Sequence, residues 1–143
     1  MGYGEEQSHT MEKKDNRAEL IKIRPQIPSI TEQHSSSAVE LFQNRSLRPI
    51  LKFQNGLLVA LFKDYIVLRK GKYYQLVATE KKLFIADSIK RDQKFKHLLL
   101  GTILGHLTTQ EYQFYQENRG ELNRRITSLL IQRLQDQLLN SPL

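Results

Sequence analysis

From Ser37 onward, leucine, isoleucine, valine and phenylalanine return at every third or fourth position, a period that fits helices and little else. The stretch "LRPILKFQNGLLVALFKDYIVLR" shows it best. Ile50, Phe53, Leu57, Leu58, Leu61, Tyr65 and Leu68 lie three and four apart, which predicts an amphipathic helix from about Leu47 to Arg69 with these side chains inward. One segment, "KYYQLVAT" at 72 to 79, carries strand-favouring Tyr73, Tyr74 and Val77, but a lone strand has no partner, so it reads as a helical or irregular connector. The expected fold class is all-α: a compact bundle of five or six helices over residues 38–143, preceded by a flexible N-terminal arm, residues 1–37.

The polar residues between the apolar runs act as stops and starts. Ser37 and Glu40 have capping-box spacing, so a helix begins at Ala38. It is expected to stop near Asn44, because Pro49 cannot donate to a helix ladder, with Ser46 capping the next helix and Pro49 in its first turn. Gly56 inside that helix suggests a closely packed neighbour, and Gly71 in "RKGK" ends it at the C′ position. Thr79 is then expected to cap a helix to about Arg91, with Leu83, Phe84, Ala86 and Ile89 partly inward. Asp92 caps another, containing Phe95, Leu98, Leu99, Ile103 and Leu104, which Gly105 stops. Thr108 and Glu111 repeat the capping box and open a short helix ending near "ENRG", where Gly120 is the turn residue. The last helix runs from about Glu121 to Leu139, with Leu122, Ile126, Leu129, Leu130, Leu134 and Leu138 on one face.

Composition closes several chemistries. A chain of 143 residues, 39% of them apolar, suits one domain with one core. Without cysteine there are no disulfides, thiolate metal sites or thiol nucleophiles. The beginning, "MGYGEEQSHTMEKKDNRAEL", is too charged for a signal peptide, and Glu6 stands where a myristoylation motif wants Ser or Thr. No apolar run approaches the roughly 20 residues that cross a bilayer. The expectation is a cytoplasmic protein with no membrane partner. Residues 1 to about 36 are polar and interrupted by Pro25 and Pro28, which makes a mobile arm the simplest reading; "AELIKIRPQIPSI" alone is apolar enough to lie along the domain or a partner. The net charge of +7 is unevenly shared, with 17 basic against 9 acidic residues from Ala38 onward. Such an excess attracts polyanions, RNA foremost.

The residues that could carry a reaction are His106, Glu111, Tyr115 and Arg119, all within "GTILGHLTTQEYQFYQENRG". A histidine and a carboxylate near a tyrosine and an arginine can serve acid–base catalysis, but only if they converge on one pocket. The same residues also read as punctuation: His106 follows a helix-ending glycine, where imidazole interacts favourably with the helix terminus, and Glu111 belongs to the capping box. His9, His34 and His97 are dispersed and lack metal-pair spacing, so neither a metal nor a cofactor is implied. No G-x-S-x-G turn and no phosphate-binding glycine loop occurs. For binding, three basic clusters stand out: Arg69, Lys70 and Lys72; Lys90, Arg91, Lys94 and Lys96; and Arg124 with Arg125. Tyr73, Tyr74 and Phe95 lie beside the first two and could stack on bases. In "ENRGELNRRI", Asn118 and Asn123 could bridge two helices, with Glu117 or Glu121 against Arg124 or Arg125.

The stretches "LRPILKFQNGLLVALF", "GTILGHLTTQEYQFYQ" and "ELNRRITSLLIQRLQ" resemble a family of small uncharacterised bacterial helical proteins, some of which carry an automatic glyoxalase label. The resemblance covers about Ser46 to Leu138 and implies a compact helical domain without site residues. The metal-dependent glyoxalase fold is made of paired β-α-β-β-β modules with His and Glu ligands on strands, and neither the strands nor the ligand spacing is present here. The leading expectation is therefore a non-enzymatic interaction module that associates with itself or with a protein partner through an apolar strip on a long helix. The last helix, with "LLIQRLQDQLL", is the main candidate. RNA or polyanion binding through the basic clusters is the alternative, and a small enzyme is the third.

Overall fold

The computed structural model describes residues 16–27 and 37–140. The start of the chain, His9, His34 and most of the run "TEQHSSS" lie outside the described residues. Among those described, the architecture is all-α and contains no strand. The helices are α1 (Glu19–Ile23), α2 (Ala38–Phe42), α3 (Arg48–Phe53), α4 (Asn55–Leu68), α5 (Ala78–Arg91), α6 (Gln93–Leu104), α7 (Thr109–Glu117) and α8 (Arg119–Gln135). No helix among them is long and apolar enough to cross a membrane.

Most caps lie where the side chains predict them. The Ser37 hydroxyl accepts the Glu40 N–H at 3.1 Å, and Asp92 accepts the Phe95 N–H at 3.2 Å. At Thr108 the box is reciprocal: its hydroxyl accepts the Glu111 N–H at 3.1 Å while Glu111 accepts the Thr108 N–H at 2.9 Å. Elsewhere the joints are displaced. α5 is capped from Val77, whose N–H donates to Glu80, so Thr79 already lies inside the helix. After α4, Lys70 occupies C′ with φ 63° and Gly71 follows with φ 68°; their N–H groups donate to the Val67 and Ile66 carbonyls in a Schellman motif. The C′ position is thus one residue earlier than expected. Gly120 is not a turn: α8 begins at Arg119, and the joint is Asn118 with φ −129°.

The largest departure is at Pro49. Helix does not stop at Asn44. α2 runs through a π-helical turn, Gln43–Leu47, into α3, and the Arg48 N–H bonds the Gln43 carbonyl five residues back. Proline in an α-helix clashes with the carbonyl four residues earlier and leaves it without a donor; the wider turn moves that carbonyl aside. Continuity is worth keeping because Leu47, Ile50 and Leu51 are at most 2% exposed. Ser46, expected as a cap, is buried inside the π turn. The break falls at Gln54, with φ −84° and ψ 2°, and it divides the expected long helix into α3 and α4. That bend shifts the inward face. Leu58, Phe62 and Ile66 form the core stripe, whereas Phe53, Leu57 and Leu68 are exposed. A Cβ on Gly56 would meet nothing within 4 Å, so no neighbour is packed against it. The segments outnumber the five or six expected because of such breaks.

Phe62 is the centre of the core, with the rings of Tyr65, Tyr73, Phe84 and Phe95 around it at 5.8–6.2 Å between centroids. α6 runs antiparallel to α4, as shown by Gln54 donating to the Thr102 carbonyl at 2.9 Å and Tyr65 donating to Asp92 at 3.0 Å. α8 runs alongside the α2–α3 rod in the same direction: Arg125 donates to Gln43 and Arg133 to Asn55, both at 3.1 Å. Its Leu122, Ile126, Leu129, Leu130 and Leu134 are buried, and Leu138 and Leu139 pack half-buried against the same core. Each fully buried side chain of this size stabilises the fold by about 1.5–3 kcal/mol.

Candidate functional site

The corner between α6 and α7 holds two of the four candidate catalytic residues, and a third group that the sequence conceals. α6 ends at Gly105 in right-handed geometry, φ −63°; its last carbonyls accept from the Gly105, His106 and Leu107 amides and from Gln54, which leaves the carbonyls of Gly105, His106 and Leu107 themselves at the turn. Two arginines from the N-terminal segment bind these three. Arg17 donates to the Leu107 carbonyl at 2.7 Å and to that of Gly105, and Arg24 donates to the His106 carbonyl at 2.7 Å. Cations are favourable there because the helix C-terminus carries partial negative charge. The Arg24 side chain is only 5% exposed and forms a bidentate pair with Glu111, at 2.7 and 2.8 Å. Residues 16–27, read as part of the arm, therefore hold a buried anchor.

This arrangement satisfies its own charges. Burial pushes the Glu111 carboxyl up, but hydrogen bonds from Arg24, Ser46 and the Thr108 amide outweigh it and hold the pKa at about 2. Arg24 Nε approaches His106 Nδ1 at 3.3 Å, so Nδ1 acts as an acceptor and the imidazole proton is assigned to Nε2. Burial, then the Arg24 charge, lowers the pKa of His106 and keeps it neutral. Its Nε2 is buried without a partner, and its ring lies 4.7 Å from that of Phe53. A carboxylate so strongly acidic and so fully bonded is a poor base, and the imidazole's basic nitrogen is already occupied. The chemistry of the corner is that of a clasp.

The other two candidates lie at the α7–α8 joint. Tyr115 is buried and its hydroxyl donates to Asn123 at 2.5 Å, tying α7 to α8, while the Arg119 guanidinium lies 5.7 Å from the Tyr115 ring. Asn118 donates to the Phe114 carbonyl at 3.0 Å. Glu121 pairs with Arg125 within α8, and Glu111 is engaged at the other end of α7 by Arg24. The four candidates thus divide into two pairs, each joined to its own partners. Among the described residues, no group of three or more His, Asp or Glu could hold a metal ion.

Two of the three basic clusters are linked. Arg69 pairs with Asp92 and lies 4.4 Å over the Tyr65 ring, which joins the end of α4, just before Lys70 and Lys72, to the α5–α6 joint, just after Lys90 and before Lys94 and Lys96. The Asp92 carboxyl is held below its usual range, first by the Phe95 amide and also by Tyr65 and Arg69. Arg91 pairs with Asp87 at 3.8 Å, an exposed contact of small energetic consequence. Of the expected stacking groups, Tyr73 and Phe95 are core residues at 5% exposure, and only Tyr74 is exposed. Beside it Val67, Leu68 and Val77 are 63–73% exposed. Arg124 and Arg125 lie elsewhere, in a groove on α8 near Gln43, at the opposite end of the 38–68 run from Arg69. That groove also contains Arg48 and Arg133.

Sequence reasoning gave Ser46 only a capping role and passed over Arg24, Arg48 and Arg133 as site groups. No local spacing marks Arg24 or Arg133, since the partners of Arg24 are 82 and 87 residues away and that of Arg133 is 78 away. Comparison with protein-family models, curated proteins and solved structures finds no match.

Proposed function

We propose that the chain is a non-enzymatic interaction module whose contact surface is the end of α4 and the turn after it. The observation that supports this is the exposure of apolar side chains at the end of α4, next to the Arg69–Asp92 pair that links two basic segments. Val67, Leu68 and Val77 are 63–73% exposed, Lys70 and Lys72 follow them in the chain, and the Arg69–Asp92 pair ties this end of α4 to the joint that carries Lys90, Lys94 and Lys96. A complementary surface offers apolar groups at its centre and carboxylates at its rim, which describes an acidic protein partner. The last helix is a weaker contact candidate, because its leucines are engaged in the core and none of the exposed large apolar residues lies on it.

RNA binding is the second reading, favoured by Tyr74 beside the lysines. It loses support from the burial of Tyr73 and Phe95. The two readings separate in one capture experiment with immobilised full chain, carried out with and without nuclease. The protein-partner reading expects nuclease-resistant capture that Leu68→Glu and the double change Lys70→Glu/Lys72→Glu both weaken at least tenfold. Capture abolished by nuclease moves the function to nucleic acid, and capture indifferent to both variants removes this surface from consideration.

A further inference from the structure

The groove on the outer side of α8 holds more positive charge than the protein neutralises. It comprises two adjoining hollows. One, of about 300 Å³, lies between Leu51, Arg133 and Gln137; the other, of about 470 Å³, lies between Gln43, Arg124 and Arg125. Arg48, Leu129 and Gln132 line both, so the two are continuous. We propose that this groove binds a small ligand carrying two or more phosphoryl groups, with Arg48 shared between a subsite at Arg133 and a subsite at Arg124. The proposal does not rest on the α4 surface described above.

The first argument is the kind of acceptor each guanidinium meets. Arg48 Nε donates to Asn44 at 3.0 Å, Arg133 Nη1 to Asn55 at 3.1 Å and Arg125 Nη1 to Gln43 at 3.1 Å. These three acceptors are neutral amides; Arg125 also pairs with Glu121, so Arg48 and Arg133 are the two held by amides alone. An amide fixes the plane of a guanidinium without cancelling its charge and leaves its other N–H groups available, which is how a preorganised anion site is held open. Arg48, Arg124 and Arg133 have no carboxylate within ion-pair distance among the described residues, whereas Arg24 and Arg69, elsewhere in the molecule, do.

The second argument is mutual repulsion. Arg133 is half-buried; burial, followed by the charge of Arg48, makes its cationic form less favourable than in water. An anion between the two relieves both costs. Phosphoryl groups fit best because Arg48 offers a planar fork to both subsites, beside Arg133 at one and Arg124 at the other, more donors than a single carboxylate can accept, and arginine matches phosphate oxygens two at a time. Ser128 and Gln132 add neutral polar side chains to the lining. The ligand is small because each hollow also has a carboxylate in its lining, Asp136 in one and Glu121, paired with Arg125, in the other. Fifteen residues of helix separate them, roughly 22 Å at 1.5 Å per residue, and a polyanionic strand continuing past either one would meet a carboxylate. The π turn serves the site directly, since Gln43 and Arg48 flank it; the extra residue sets where Arg48 emerges relative to α8.

Titration calorimetry of the full chain with inorganic tripolyphosphate and with orthophosphate, at low salt, tests this. Saturable one-to-one binding of tripolyphosphate, at least tenfold tighter than orthophosphate, is expected. Arg48→Lys keeps the charge but removes the fork and should weaken tripolyphosphate at least tenfold. Arg124→Gln should weaken tripolyphosphate while leaving orthophosphate unchanged, and Lys70→Glu/Lys72→Glu should leave both unchanged. Should circular dichroism show that Arg48→Lys has lost helix, Arg124→Gln decides alone, since Arg124 is exposed and holds nothing else. Absence of saturable binding, indifference to Arg48→Lys and Arg124→Gln in folded protein, or equal loss in the lysine variant would overturn the proposal. So would displacement of tripolyphosphate by a single-stranded homopolymer RNA that binds the groove more tightly, which would assign it to nucleic acid.

Discussion

At the α6–α7 corner a guanidinium meets a carboxylate, while in the groove beside α8 the guanidinium groups of Arg48 and Arg133 meet only amides. Both places are concave and partly buried, and both use arginine. At the corner Arg24, Glu111, Ser46 and the Thr108 amide satisfy one another and bind the N-terminal segment to the bundle. In the groove Arg48 and Arg133 are oriented by Asn44 and Asn55 but keep their charge. The difference teaches that the acceptor opposite an arginine, more than burial alone, separates a structural cation from one poised for a ligand. A pairing completed within the chain contributes to folding, and one left to neutral amides costs folding a little and reserves its electrostatics for an anion.

Breaking the corner should have the largest effect. Arg24→Ala leaves Glu111 buried without its counter-ion, and Glu111→Ala does the reverse; either should lower stability to urea by about 3–5 kcal/mol. The double change Arg24→Met/Glu111→Met should cost much less than the two single losses added together, because neither charge is then stranded. A double mutant as unstable as the sum would mean that the pair is not the unit.

Acid should weaken the same corner in two windows. Glu111 has its pKa lowered from 4.5 to about 2 in the folded state, so its contribution is fully present above about pH 4.5 and is lost as pH falls toward 2. His106 also has a lowered pKa, so the unfolded chain takes up its proton first. Stability therefore also declines as pH falls below 6.5 toward the folded value of His106. Unfolding midpoints recorded across pH should show both limbs, with Glu111→Gln removing the lower and His106→Gln the upper. An upper limb that survives His106→Gln would assign that titration to another group.

The groove should respond least. Without ligand, Arg133→Gln is expected to cost about 1 kcal/mol, the value of its hydrogen bond to Asn55, and Arg48→Gln to change stability by no more than about 0.5 kcal/mol. A loss at Arg48 comparable to that at Arg24 would erase the distinction between the two regions.

How much of this was legible in the sequence depends on the distance over which each feature is determined. Ser37, Asp92 and Thr108 act within three residues, and their caps were read directly. The all-α class also follows from a local period. The inward face around α4 was misread because it depends on phase: the bend at Gln54 rotates the stripe from Leu57 and Leu68 to Phe62 and Ile66. Pro49 predicts a stop by its own chemistry, yet packing of Leu47, Ile50 and Leu51 keeps the helix running through a π turn. His106 and Glu111 were identified as a cap and a capping-box member, but the arginine that unites them sits in a segment whose composition suggested an arm. Arg48 and Arg133 face one groove from helices 85 residues apart, and nothing in either neighbourhood announces the other.

The most direct measurement is the urea unfolding midpoint of Arg48→Gln beside that of the unaltered chain, each with and without millimolar tripolyphosphate. The unaltered chain should gain stability with the anion, and Arg48→Gln should match it in buffer yet gain little. An Arg48→Gln protein that is already several kcal/mol weaker in buffer, or an unaltered chain whose midpoint ignores the anion, would contradict the account.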